Sequence, residues 1–486
     1  MRHFHLNAGL ARIAAGLALL CFGATLSFSE TTTAPTRLPE RTSAWLRLSS
    51  ADHQQVMSFG EEIKQFLNAA RQNQMAVAEL IRQAQAHHFI EYKPGMTLPP
   101  GTRFYVSNRG RALLLGIAGS QGGAHGFRLI DAHVDSPWLD LKANPLVEKH
   151  GFVLFHTLTH GGLKRYQWVN RPLSLTGHID RIDGTRVQVA IGLKPGDPVF
   201  VIPDVAPHVD RPFRTRTYTE VMSPEEMLPV VASEPLENGG VMAQALKQLF
   251  DLYHIQPEEF VSAELVLTPA EPATDVGLDR SMIGSYGQDD RLNAFIAARS
   301  LMNLAATPEK TSLVFLSNNE EVGGVNNTGA ESEFLVSMMT HLLSSELGER
   351  FTASSLRQAK DATEVISADC NTGINPNFPQ VQEPDNAARL GYGVTIKRYG
   401  HGFDANSEYL ARFLRLFDQQ KIAWQTSTYV EGIGGGGTDG GIYSRQNMEV
   451  IDLGIPLLSM HSPYEVSSKV DAWEMYRAMQ GFFGMK

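Results

Sequence analysis

Cysteine is nearly absent: the 486 residues hold two, Cys21 and Cys370. That excludes an internal disulfide framework and a zinc site built from clustered thiolates. Basic charge is also scarce. Lys and Arg number 42 against 52 Asp and Glu, for a net charge of -10. Nucleic acid is therefore not expected as the main partner. Nor does a global field draw acidic ligands in, so any preference for them must come from local basic residues. Past the first residues, no run is long and apolar enough to span a bilayer. Internal repeats are missing too. The composition, 43% hydrophobic and 19% charged, is that of a globular chain able to bury a large core.

The N-terminus stands apart. Arg2, His3, His5 and Arg12 precede an apolar run over residues 13–26, and Ser27 and Ser29 follow. A basic segment, an apolar segment and small residues fit a secretory signal. Residues 1–29 are expected to be a signal peptide cleaved after Ser29, and residues 30–44, rich in Thr and Pro, a linker. Export to a bacterial periplasm or beyond follows, with a cytoplasmic location as the alternative. Once the signal is removed, Cys370 is alone.

Histidines and carboxylates are present where cysteines are not. The apolar run 311–316 ends in SNNEEVGG at residues 317–324. That reads as a buried strand delivering two adjacent acids, Glu320 and Glu321. Paired acids repel and are costly to desolvate, and a nearby cation would relieve both penalties. A solvated acidic loop is the other reading. Residues 126–137 repeat the pattern with His133 and Asp135, which share one face of an extended chain. One of them can bind metal while the other steadies the imidazole. Asp369 ends the β-rich run 364–368, and His461 follows the apolar run 450–458. Asp289 and Asp290 head a helical pattern formed by Leu292, Phe295, Ile296, Met302 and Leu304. They either cap that helix or bridge cations. Most of this set falls at strand ends, where open α/β sheets bind ligands. Nitrogen and oxygen donors of this kind suit Zn²⁺, with Mn²⁺ or Co²⁺ possible.

These motifs, in this order, resemble the aspartyl aminopeptidase family of dinuclear zinc exopeptidases, in its bacterial branch. Residues 319–323 (NEEVG) and 458–465 (LSMHSPYE) carry the resemblance most specifically. Residues 105–111 and 131–137 add to it. The resemblance implies two Zn²⁺ per subunit. His133 and Asp369 would hold one, Glu321 and His461 the other, and Asp289 would bridge them, leaving Asp290 to cap the helix. Glu320 would be the general base and Asp135 would orient His133. The substrate would be a peptide with a free α-amine, and its N-terminal Asp or Glu would be read by Lys397, or by Arg398 in its place. His208 resembles a histidine that reaches a neighbouring subunit's active site; an ordinary surface-loop histidine is the alternative. A homo-oligomer is implied, a dodecamer built from dimers. A related dinuclear amide hydrolase, or an inactive assembly shell, would be the other functions. Retention of Glu320 beside Glu321 speaks against the shell.

The fold expected is α/β: a mixed-sheet catalytic domain flanked by helices, with an inserted β-rich domain. Residues 45–141 and 273–486 would form the first. Residues 142–272, full of short β-like runs and turns such as Asp183-Gly184, would form the second and mediate dimer contacts. The segment 211–237 reads as an exposed loop. His150, His156 and His160 read as structural. Gly435, Gly437 and Gly440 formally match a dinucleotide fingerprint, but without its strand–helix context. A loop passing close to substrate or metals is the better reading.

Overall fold

The computed structural model describes residues 42–400 and 403–485. The expected signal peptide and residues 30–41 of the expected linker lie outside the described residues.

Four of the apolar runs lie side by side at the centre of the fold. The strands Thr311–Ser317, Phe127–His133, Glu364–Ala368 and Glu449–Gly454 are neighbours, in that order, and parallel. Every residue in them except Glu449 is buried. Parallel strands covered on both faces carry continuous apolar runs, which is why these segments show no alternation. They sit within a nine-stranded mixed sheet. Ala112–Ile117 joins one side and Val394–Lys397 the other, both antiparallel to their central neighbours.

Helices cover this sheet. In Gln288–Met302 every residue but Arg299 is buried. A helix apolar only along one stripe would not tolerate that position, and this one is instead packed all round. The helix Ser50–Ala69 buries Val56, Phe59, Ile63, Phe66 and Leu67, the stripe its spacing foretells. Its start is fixed by a capping box between Ser49 and Asp52. The Phe66 ring stacks on Phe295 at 4.9 Å, which ties this helix to the buried one.

A second sheet has six strands, antiparallel throughout, running from Trp138–Lys149 to Ala263–Pro269 in the chain. It has its own core around Phe155, Trp168, Leu175 and Leu265. The Asp183-Gly184 turn joins its strands Leu173–Asp180 and Arg186–Ile191, with Gly184 at φ +81°. The segment 211–237 is not simply an exposed loop. Met222 and Met227 are buried in this second core, and Val230–Ala232 adds an edge strand. Among the described residues, no helix is long and apolar enough to cross a membrane.

Candidate metal centre

The site forms where the central strands end. The chain leaves Thr311–Ser317 through Asn319, which is left-handed at φ +62°, a conformation Asn tolerates. Gly323, at φ +94°, closes the short turn Glu320–Val322. This tight reversal holds Glu320 and Glu321 at the sheet mouth. His133 is the last residue of its strand and Asp369 follows directly on Glu364–Ala368. Asp289 enters from the first turn of the buried helix, where the Asp289–Asp290 peptide bond is cis. His461, at φ +61°, enters from the turn before the strand Glu465–Ser468.

Of three clusters of ligand-type atoms among the described residues, two contain the histidines. His133, Asp289 and Asp369 make one; Asp289, Glu321 and His461 make the other. Asp289 belongs to both. His133 Nε2 lies 3.7 Å from Asp289 Oδ1 and 3.8 Å from Asp369 Oδ1. His461 Nε2 lies 3.2 Å from Asp289 Oδ2 and 3.4 Å from Glu321 Oε1. Bonds of about 2.0–2.2 Å in tetrahedral geometry put zinc ligands about 3.3–3.6 Å apart, a spacing the second cluster matches and the first exceeds by a few tenths of an ångström. Asp289 Oδ1 and Glu321 Oε1 are buried and have no hydrogen-bond donor among the described residues. Buried carboxylate oxygens are rarely left so, and a cation would satisfy both. Burial pushes Glu320 up to about 9, and the nearby Asp369, Asp439 and Glu321 carboxylates push the same way. Burial opposes charge on His461, yet Asp289 and Glu321 hold it up at about 10. The donor set therefore suits a divalent cation shared through Asp289.

The imidazoles are aimed by bonds on their far side. His461 Nδ1 donates to the Gly162 carbonyl at 2.7 Å, leaving Nε2 for the cluster. His133 Nδ1 faces the Asp135 carbonyl at 3.1 Å and its Oδ1 at 3.4 Å. Burial works against a charge on Asp135, but hydrogen bonds from His133 and His160 hold its carboxyl below the usual range. The same carboxylate accepts from the backbone N–H groups of Glu320 and Glu321, at 3.1 and 3.3 Å.

Some expectations need correction. Asp290 does not cap the helix. Gly287 holds that position, and Asp290 is fully buried. Its carboxylate accepts from the His133 backbone N–H at 3.3 Å and from Asn293 Nδ2 at 2.6 Å. Those bonds also explain why the cluster of Asp289, Asp290 and Cys370 is the poorer ion site, since burial holds the Cys370 thiol well above its usual range. Cys370 is a packing residue. His160 is tied to the site: its Nε2 donates to Asp135 Oδ2 at 2.9 Å, and its ring stacks on Trp138. Glu465 was missed as well. It is buried and accepts from the backbone N–H groups of Gln288, Asp289 and His461. It sat inside the recognised motif, four residues after His461.

Other residues fall as follows. Lys397 is buried and lines the cavity above the clusters, about 1070 Å³ in volume, whereas Arg398 is exposed and does not. The glycine-rich residues 434–437 line the same cavity, the place expected of them. His208 is exposed in a turn and takes no part in the constellation within its own chain.

The family model of aminopeptidase I zinc metalloprotease (M18) matches residues 66–483. A probable M18 family aminopeptidase 1 of Clostridium acetobutylicum is 35% identical over 460 residues, 92% of this chain and 98% of that protein. The crystal structure of an M18 aminopeptidase from Thermotoga maritima superimposes with a TM-score of 0.87. The two are 34% identical, over 92% of this chain and all of that one. A structure of the S. cerevisiae mApe1 dodecamer shares the fold at a TM-score of 0.72 and 22% identity, over 87% of this chain and 96% of that one. The protein thus belongs to the M18 family of aminopeptidase I zinc metalloproteases, and is a metal-dependent aminopeptidase.

Proposed function

We propose that the chain removes N-terminal residues from peptides at a site for two Zn²⁺, with Glu320 as general base. The observation that carries this is the membership of Asp289 in both histidine-containing ligand clusters, with the Glu320 carboxylate beside them. His133 and Asp369 would hold one ion, Glu321 and His461 the other, and Asp289 both. Zinc bound there supplies Lewis acidity, which acidifies water and polarises the scissile carbonyl. Mn²⁺ or Co²⁺ would serve the same ligands.

The protein's own groups do the rest. Glu320 Oε2 lies 3.8 Å from His133 Nε2, at the edge of the first cluster. It takes the proton of the attacking water and delivers it to the leaving amine. Asp135 holds His133 and, through the Glu320 and Glu321 backbone, the turn that carries both acids. The free α-amine of the substrate meets the acidic rim of the clusters, which restricts cleavage to chain ends. Recognition of the N-terminal side chain falls to the wall around Lys397. The acid preference that the resemblance implies would require Lys397 to meet a substrate carboxylate there.

The family resemblance and the dodecameric yeast neighbour support a homo-oligomer. In it, His208 would reach a neighbouring subunit's cavity, and its exposure is compatible with that. Export rests on residues 1–29; a mature protein that retains residue 1 would refute it.

The direct test incubates purified, zinc-loaded protein with free and N-acetylated peptides, with and without chelator. Chelator-sensitive release of N-terminal residues from free peptides alone is the expected result. Cleavage of the acetylated set, or of neither set, would refute the proposal.

A further inference from the structure

The turn that carries Glu320 is held at its middle and at its ends. Asp135 holds the middle, accepting from the Glu320 and Glu321 N–H groups. A second buried carboxylate, Asp439, holds the ends. Asp439 Oδ2 accepts from Ser317 Oγ at 2.9 Å, and Ser317 is the last residue of the strand that leads into the turn. Asp439 Oδ1 lies 3.3 Å from where a Cβ on Gly324 would stand. Gly324 follows the turn and closes it, donating its N–H to the Asn319 carbonyl at 2.7 Å.

Local structure does not account for this use of Asp439. The residue stands directly before the short helix Gly440–Ser444. An acid there ordinarily caps its own helix, accepting from an N–H two or three residues on. Asp439 makes no such bond. Its carboxylate instead crosses to a strand 122 positions away. Its exposure is 5%, and a carboxylate so buried is costly without a partner. Asp439 belongs to none of the ligand clusters and does not line the cavity, although residues 434–438 just before it do. Two other bonds fasten the same segment to the central sheet. Tyr443 Oη donates to Asp131 Oδ1 at 2.7 Å, and Ser367 Oγ to Thr438 Oγ1 at 3.4 Å. They would keep the helix docked if the Asp439 side chain were shortened.

Resting on the reading of Glu320 as general base, we infer that Asp439 is a positioning residue for it. By gripping Ser317 and lying against Gly324, it fixes the ends of the turn and so the place of the Glu320 carboxylate. A shift of about 1 Å in such a group can cost about 100-fold in rate.

The experiment measures kcat, KM, zinc content and melting temperature on free peptides. It compares wild type with Asp439→Ala, Ser317→Ala, the double variant, Asp439→Asn and Glu320→Gln. Asp439→Ala and Ser317→Ala are each expected to lose about 10–100-fold in kcat, with KM and zinc content close to wild type. Because both remove the same bond, the double variant should lose no more than the worse single one. Asp439→Asn keeps an acceptor for Ser317 Oγ and should recover most of kcat. A merely structural Asp439 would lower the melting temperature and leave kcat alone, and that result would overturn the inference. So would losses that multiply in the double variant, or an Asp439→Asn no better than Asp439→Ala. Should Asp439→Ala not fold, Ser317→Ala decides, and an unchanged kcat there would overturn the inference. An impaired Glu320→Gln beside a fully active Asp439→Ala would overturn this inference alone. Normal turnover by Glu320→Gln, or cleavage of no peptide by wild type, would overturn the reading it rests on, and the inference with it.

Discussion

His160 donates from Nε2 to Asp135 Oδ2 at 2.9 Å, joining the six-stranded sheet to the metal centre. His160 is the last residue of the strand Phe152–His160. Its partner follows the central strand that ends at His133. Asp135 is thus gripped between two imidazoles, and one of these is a proposed metal ligand. Partners of this outer kind typically change metal affinity or activity by about 10–100-fold when removed. His160→Ala is expected to lower kcat by about tenfold while the fold is kept, and His160→Gln, which retains a donor, should recover much of it. Steady-state kinetics with circular dichroism would check both. Equal losses in the two variants would mean that His160 only fills space.

Glu320 separates catalysis from metal binding. Glu320→Gln keeps the size of the side chain and leaves all five proposed ligands in place. General-base removal costs about 10²–10⁴-fold, so kcat is expected to fall by that order, with zinc content and melting temperature close to wild type. Normal turnover would remove Glu320 from its role.

The buried helix also gives a prediction about stability. Phe295 is 2% exposed and packs against both Phe59 and Phe66. Phe295→Ala leaves a cavity where the helices Ser50–Ala69 and Gln288–Met302 meet, and substitutions of this kind cost about 3–5 kcal/mol. Denaturant unfolding of metal-loaded protein would measure it. A loss under about 1 kcal/mol would show that the site collapses and refills.

Much of the proposed centre was legible because its candidate ligands close apolar runs. Glu320, Glu321 and Asp369 follow, and His133 ends, a strand long enough to recognise, and parallel strands gather their ends on one side. Asp289 was legible as an acid opening a helix, though the local pattern could not separate it from Asp290. The burial of Asp290 against the His133 backbone is a tertiary fact. His160, Gly162 and Asp452 left no local trace. Each acts on a residue far away in sequence, and the contact exists only once the second sheet or the antiparallel strand Val394–Lys397 is in place. Lys397 shows the same limit. Its position in the cavity was readable from the resemblance, but that Asp452, 55 positions on, faces it across the strands is a tertiary fact. Glu465 was in plain view within a motif, yet its three backbone donors come from segments brought together by folding.

The central claim is a pair of ions sharing Asp289. Anomalous diffraction at the zinc edge from crystals of loaded protein tests it most directly. Two peaks per subunit are expected, both touching Asp289, one with His133 and Asp369 and the other with Glu321 and His461. Zinc stoichiometry should fall in His133→Ala and Asp289→Ala. A single peak, or peaks that avoid Asp289, would contradict it.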